Sequence, residues 1–246
     1  MFPEQEEITR ILRHLLHVFV TSECEIRPHF FLTGPSGSGK SYLVSQIAEE
    51  MGVPVLEINA AQLTSEGISG NSLSKALTPM FNYPSQPMVI FVDEFDKIVQ
   101  SNGHETENYK AAVQDEFLRV LESNHASVFG KYGHYERVNM AKTLFIFAGA
   151  FSNQKIETIE DLRDTGLRTE FVGRVPLVFH TDSVSLDSML AVLPRVKLLR
   201  DYLKIFPDKT LKQAQRAISN MLREKAKTSI IGLRLINATI HEYFMG

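Results

Sequence analysis

The sequence predicts an α/β fold: a parallel sheet with helices on both faces, followed by a small all-α domain. Three observations carry this. Short apolar runs alternate with helical periodicity from residue 29 to 180, a glycine-rich loop joins the first run to a helix, and only helical periodicity follows His180. The boundary falls between residues 1–182, the α/β domain, and 183–246, the helical one.

Residues 4–20 read as an amphipathic helix. Ile8, Ile11, Leu12, Leu15 and Phe19 share one face, and the acidic run at 4–7 suits a helix N-terminus. HFFLTG (29–34) is a buried strand ending in glycine, 40–51 is helical, and VPVLEINA (53–60) is a second strand. A helix over 71–81 leads to a third strand, MVIFVDE (88–94), and a helix near 108–122 follows. TLFIFAGAF (143–151) and VPLVFH (175–180) complete the set. Strands separated by helices imply parallel pairing. Beyond them we expect helices at 185–193, from Pro194, after the Pro207-Asp208 turn, and from about 229.

Composition narrows the function classes. The chain has 246 residues, 43% hydrophobic and 22% charged, which suits an ordinary globular protein. A net charge of −3 without a dense Lys/Arg block argues against a dedicated nucleic-acid surface. Cys24 is the only cysteine, which excludes an intrachain disulfide and a cysteine zinc cluster. The apolar runs are too short to span a bilayer, and the acidic MFPEQEE start does not read as a secretory signal, so a cytoplasmic protein is expected. His14 and His17 lie three apart on a helix, but no carboxylate joins them at ligand spacing.

Two motifs carry chemistry. GPSGSGKS, comprising Gly34, Pro35, Ser36, Gly37, Ser38, Gly39, Lys40 and Ser41, follows a strand and opens a helix. Glycines there let backbone N–H groups wrap a phosphate chain whose charge the helix N-terminus favours. Lys40 would reach the β- and γ-phosphates of ATP, and the Ser41 hydroxyl would bind Mg²⁺. The bland alternative is a glycine-rich turn without a ligand. In MVIFVDEFDKI, Asp93 and Glu94 stand at a strand's C-terminal end, where open α/β sheets bind ligands. Asp93 suits Mg²⁺ and Glu94 suits polarising an attacking water; a solvated acidic turn running on through Asp96 and Lys97 is the alternative. Together the motifs imply a nucleoside triphosphatase.

VDEFDKI resembles the Walker B segment of AAA+ ATPases of the ClpX/HslU type, and three further segments match in the same order. LFIFAGAF (144–151) resembles the strand before the sensor-1 region, DTGLRTEFVGRVPLV (164–178) the arginine-finger segment, and GLR (232–234) the sensor-2 motif of the lid. The resemblance covers most of the chain from about residue 29. It implies that Arg174 reaches a neighbouring subunit's nucleotide, which requires a ring, a hexamer in this family, and that Arg234 touches the γ-phosphate in its own subunit. A surface ion pair is the alternative for either arginine. Arg168 reads as structural.

EGISG (66–70) falls where the family carries its pore loop, but Ile68-Ser69 replaces the aromatic tip. An isoleucine offers apolar contact without the flat area of an aromatic ring. A turn capped by Ser69 or Asn71 is the alternative. ASVFGKYGHYERVN (126–139) is either a second pore loop or a β-hairpin around Gly130 or Gly133.

Three departures from the family are expected: no N-terminal zinc domain, no HslU-type intermediate domain, and too short a segment from Phe151 to Asp164 for a peptidase-docking loop. At the sensor-1 position stand Ala148 and Gly149, with no polar side chain; Ser152 and Asn153 are the nearest candidates. The leading expectation is an ATP-hydrolysing ring that remodels a protein partner without a ClpP-type peptidase. The alternatives are a nucleotide-switched assembly factor, a nucleic-acid-associated loader or regulator, and a non-ring P-loop enzyme acting on a small molecule.

Overall fold

In the computed structural model all five apolar runs join one parallel sheet. The structure describes residues 2–65, 71–83, 85–99, 104–130, 133–227, 229 and 232–246, with the side chains of 104–109 and Asn153 excepted. By its contacts the chain divides into a sheet unit, Ile8–Gly34 with Lys40–His180, and a helical unit, Met1–Glu7, Pro35–Gly39 and Thr181–Gly246.

In chain order the elements up to the third strand are α1 (Glu6–Thr21), β1 (Phe30–Thr33), α2 (Lys40–Glu50), β2 (Val55–Asn59), α3 (Leu73–Ala76) and β3 (Met88–Asp93). Then come α4 (Asp96–Val99), α5 (His104–Glu122), the strands β4 (His125–Phe129) and β5 (Tyr135–Asn139), and β6 (Thr143–Gly149). α6 (Ile159–Asp164), α7 (Thr169–Arg174) and β7 (Leu177–His180) close the sheet unit.

The sheet order is β2-β3-β6-β1-β7. Register aligns Asn59 with Asp93, and Thr33 with both Gly149 and His180. All five strands therefore end at one edge, where ligands of open α/β sheets bind. Side chains alternate across the sheet as the period of two demands. Phe31, Ile90, Val92, Phe145 and Phe147 enter one core with Phe95, Phe117 and Phe171. Phe30, Leu32, Phe91, Leu144 and Ile146 enter the other with Leu12, Leu16, Leu43 and Ile47 of α1 and α2. Near the functional edge the aromatic core is dense: Phe95–Phe147, Phe147–Phe171 and Phe95–Phe171 ring centroids lie 4.8, 5.1 and 5.2 Å apart.

At the opposite edge His29 accepts a hydrogen bond at Nδ1 from the Phe145 N–H, at 3.0 Å. Burial, with a smaller contribution from Arg27, pushes its pKa down to about 4. The imidazole is thus neutral in the fold.

The helical unit contains α8 (Leu186–Val192), α9 (Lys197–Ile205), α10 (Leu211–Lys225) and α11 (Arg234–Met245) around a core that includes Leu193, Leu199, Ile218, Leu222, Ile236 and Ile240. Glu4 ties the N-terminal segment to α8, accepting from the Ser185 N–H at 3.0 Å and the Ser188 hydroxyl at 2.9 Å. Desolvation raises the Glu4 pKa, but these bonds outweigh it and hold the carboxyl at about 2.

Three local expectations are corrected and one open alternative is resolved. The helix expected over 71–81 is broken into α3 and a 3₁₀ turn, Thr78–Asn82. An α-helix continued through Pro79 would drive its ring into the carbonyl four residues earlier. Pro194 opens no long helix: it sits in a 3₁₀ turn, Leu193–Arg195, and Val196 is extended before α9 begins. The last helix starts at Arg234 rather than near 229, after Gly232 at φ 57. The segment 126–139 takes the hairpin alternative: β4 and β5 pair antiparallel from His125↔Asn139 to Phe129↔Tyr135, and Gly130 N–H bonds to His134 O at 2.8 Å.

Candidate nucleotide site

The loop after β1 is built on left-handed backbone. Gly34, Gly37 and Gly39 have φ of 137, 76 and 91, values that glycine adopts without steric cost. Lys40 opens α2, and its ammonium, in a residue only 8% exposed, donates to Gly34 O at 2.7 Å. A cationic side chain directly after the glycine loop suits the binding of anionic oxygens. Ser41 follows in the first turn of α2.

The middle of the loop, Pro35–Gly39, belongs by its contacts to the helical unit, and three bonds account for this. Gln5 Nε2 donates to Ser38 O, the Ser38 and Thr181 hydroxyls lie 2.8 Å apart, and Leu233 N–H donates to Gly37 O at 2.9 Å. Gln5, Ser38 and Thr181 are all at most 2% exposed. A Cβ on Gly232 would lie 2.7 Å from Gly37 O, so the approach of the GLR segment to the loop requires glycine. Arg234 is the next residue but one, exposed at the start of α11. Gln5 and Thr181 were not singled out from sequence: one lies in an acidic run, the other is a lone threonine, and neither has a diagnostic spacing.

β3 delivers the acids. Asp93 is half-buried at the end of the strand, and one of its carboxylate oxygens accepts the Glu94 N–H at 2.8 Å. Glu94 is exposed and has φ 55. For a residue with a Cβ that conformation costs on the order of 1–3 kcal/mol and persists only when the surroundings impose it. The next residue is held by a bond from Phe95 N–H to Ala148 O of 2.8 Å.

At the end of β6 the backbone turns through two more left-handed residues, Phe151 (φ 45) and Ser152 (φ 56). Phe151 is buried and Ser152 exposed; the Asn153 side chain lies outside the described residues. Gly149 has a physical reason for lacking a side chain: a Cβ would lie 2.8 Å from Asp96 Oδ1 and from a ring carbon of Phe151.

The structure brings Lys40, Asp93 and Glu94 to one sheet edge and places Arg174 on another contact. At the end of α7, Arg174 donates to Glu122 of α5 at 3.1 Å, both side chains about half exposed. Arg168 pairs with Asp115 and, at 3.6 Å, with Glu170. Ile68 and Ser69 lie outside the described residues.

The residues fit a Mg²⁺-nucleotide. Three glycines give the loop left-handed backbone of the kind a phosphate cradle uses, the buried Lys40 ammonium bonds to Gly34 O, and Ser41 and Asp93 supply a hydroxyl and a carboxylate. Mg²⁺ bound with a triphosphate needs few protein ligands, because phosphates and waters complete its shell. Among the described residues no group of three or more His, Cys, Asp or Glu could hold a metal alone.

A glycine loop from strand to helix, together with an acidic strand end on the same parallel sheet, defines a P-loop nucleotide-binding protein. Residues 30–167, more than half of the chain, match the family described as "ATPase family associated with various cellular activities (AAA)". The chain belongs to this family of ATPases. It is similar to the protein named "ATP-dependent Clp protease ATP-binding subunit ClpX" of Borrelia duttonii, 26% identical over 258 residues, covering 82% of this chain and 60% of the relative. The protein of that name from Bacteroides fragilis is 26% identical over 265 residues, 87% of this chain and 64% of the relative. "ATP-dependent Clp protease ATP-binding subunit ClpX 2" of Wolinella succinogenes is 27% identical over 220 residues, 73% and 55%. The chain thus spans roughly 60% of the length of these relatives. No helix among the described residues is long and apolar enough to cross a membrane.

Proposed function

We propose that this protein is the ATP-hydrolysing subunit of a homo-oligomeric ring, a hexamer, that remodels or unfolds a protein partner in the cytoplasm without feeding a ClpP-type peptidase. The observation that supports the ring is the separation of Arg174 from the other candidate groups. Lys40, Asp93 and Glu94 gather at the strand ends, while Arg174 pairs with Glu122 of α5. An arginine so placed is free to serve a neighbouring copy.

In this reading residues 1–182 form the ATPase domain and 183–246 the lid. Backbone N–H groups within 34–41, Pro35 excepted, and the Lys40 ammonium hold the phosphates of ATP, and Ser41 and Asp93 would hold Mg²⁺. The cation neutralises phosphate charge. Glu94 takes hydrogen-bonding hold of the attacking water and polarises it. Arg174 of the neighbour stabilises charge on the transferring phosphoryl group, an effect worth about 10³-fold or more in related phosphoryl transfer. Arg234 reports nucleotide state to the lid, a role supported by the bond from Leu233 to the loop. The likeness to ClpX proteins supports a protein partner; the low net charge counts against nucleic acid.

A second reading, a nucleotide-switched assembly factor with slow hydrolysis, is favoured by one feature. Asp96 occupies the space any side chain at Gly149 would need, so β6 ends without a polar group. Mixing tests the first reading. Arg174→Ala and Glu94→Gln subunits should each hydrolyse poorly alone, and their mixture should regain turnover as Glu94→Gln subunits lend Arg174 to Arg174→Ala neighbours. A mixture no faster than its components would sink the trans role of Arg174.

A further inference from the structure

Asp96 is a buried carboxylate that the chemistry above does not use. The residue is 1% exposed, although it follows three residues after the strand interior in a polar run. Burying an ionised carboxylate is costly unless it is paired and hydrogen-bonded. One oxygen pairs with the Lys97 ammonium at 2.8 Å, and that ammonium is itself half exposed. The other, Oδ1, accepts the Ala150 N–H at 3.3 Å and fills the space beside Gly149.

The bond belongs to a two-way joint between neighbouring strand ends. From the β3 side, Phe95 N–H donates to Ala148 O; from the β6 side, Ala150 N–H donates to Asp96. Glu94 precedes this joint directly and carries the left-handed φ of 55. Its own N–H also bonds to Asp93 and its carbonyl accepts the Lys97 N–H at 3.0 Å, so the backbone is held on both sides. A strained non-glycine residue needs such over-determination, because it would otherwise relax to ordinary backbone and swing its carboxylate away.

We propose that Asp96 is a positioning residue for ATP hydrolysis: by joining the turn after β3 to the end of β6 it holds Glu94 in its left-handed conformation, with Gly149 as the glycine that leaves room for it. The proposal rests on the water-polarising role of Glu94 given above. It assigns Asp96 no contact with nucleotide, metal or water. Asp96 acts through Glu94.

The test measures turnover at saturating ATP, affinity for a fluorescent ATP analogue, and single-turnover hydrolysis, in the full chain. Asp96→Ala should lower turnover about 30-fold, as expected for a lost buried hydrogen bond to a charged group, and leave affinity within about twofold. Asp96→Asn keeps an acceptor for Ala150 N–H and should retain turnover within about threefold of the parent. On a Glu94→Gln background, Asp96→Ala should cause no further loss, since a residue acting through Glu94 has nothing left to position. Should Asp96→Ala not fold, Gly149→Ala strikes the same joint from β6 and should show the same fall in turnover at kept affinity. Affinity and turnover falling in parallel, full activity of Asp96→Ala or of Gly149→Ala, or an additional loss on the Glu94→Gln background would overturn the proposal. Glu94→Gln alone separates the two claims: if it hydrolyses ATP normally, the role of Glu94 fails first; if it is slow while Asp96→Ala is not, only the positioning role fails.

Discussion

Of the turns that leave the C-terminal edge of the sheet, those after β1 and after β3 carry the two motifs, and both use left-handed backbone. They obtain it in opposite ways. After β1 the positions are glycines 34, 37 and 39, where in the proposed function the backbone itself is the ligand-binding surface and a side chain would be in the way. After β3 the position is Glu94, whose side chain carries the proposed chemistry, so a conformation that glycine would adopt freely is imposed on a glutamate. The difference teaches which part of each turn does the work: amides in one, a carboxylate in the other.

The largest effect should come from striking the carboxylate. Glu94→Gln keeps the volume but loses the base, and turnover should fall about 10²–10³-fold with ATP affinity nearly unchanged, read by steady-state hydrolysis and nucleotide titration. Lys40→Ala strikes the other turn and should weaken ATP affinity about 100-fold, in line with loss of a strong charge-assisted contact. A parallel loss of affinity in both variants would erase the distinction between the turns.

His29, at the far end of β1, sharpens the comparison from outside the site. Its pKa is about 4 in the fold against an ordinary value of 6.5, so between these the unfolded chain binds the proton and the folded one does not. The contribution to stability is complete above about pH 6.5 and is lost as pH falls toward 4, by about 3 kcal/mol in total. Chemical denaturation at pH 7 and pH 4.5 should show this loss, and His29→Gln should shrink it. The smallest stability effect isolates backbone from side chain: Glu94→Gly, which removes the carboxylate as well, should stabilise the fold by about 1 kcal/mol, measured by thermal melting. A destabilised glycine variant would mean that Glu94 is not strained.

The contrast also explains what the sequence made legible. Strands were readable because five apolar runs are each bounded by turn residues, and the loop after β1 was readable because Gly34, Gly37, Gly39 and Lys40 form a pattern whose spacing is its mechanism. The acids Asp93 and Glu94 were readable for the same reason. Asp96 was hidden, since a carboxylate in a polar run looks solvated until the neighbouring strand end is seen closing over it. Gly149 was legible only as a missing polar side chain; its cause, the Asp96 oxygen 2.8 Å from any Cβ, is tertiary. Periodicity placed one helix over 71–81 because it counts apolar positions and gives no weight to Pro79. Bonds from Gln5 and Thr181 to Ser38 join residues far apart in the chain, which no local pattern encodes.

The account as a whole stands on ATP turnover being harnessed to a polypeptide. The most direct test is steady-state ATP hydrolysis with and without a permanently unfolded polypeptide, at a protein concentration high enough to populate rings. A remodelling ring predicts that the polypeptide stimulates turnover, and that Glu94→Gln shows no such response. A rate unchanged by polypeptide across that concentration range would contradict the remodelling function and leave the slow nucleotide switch as the better reading.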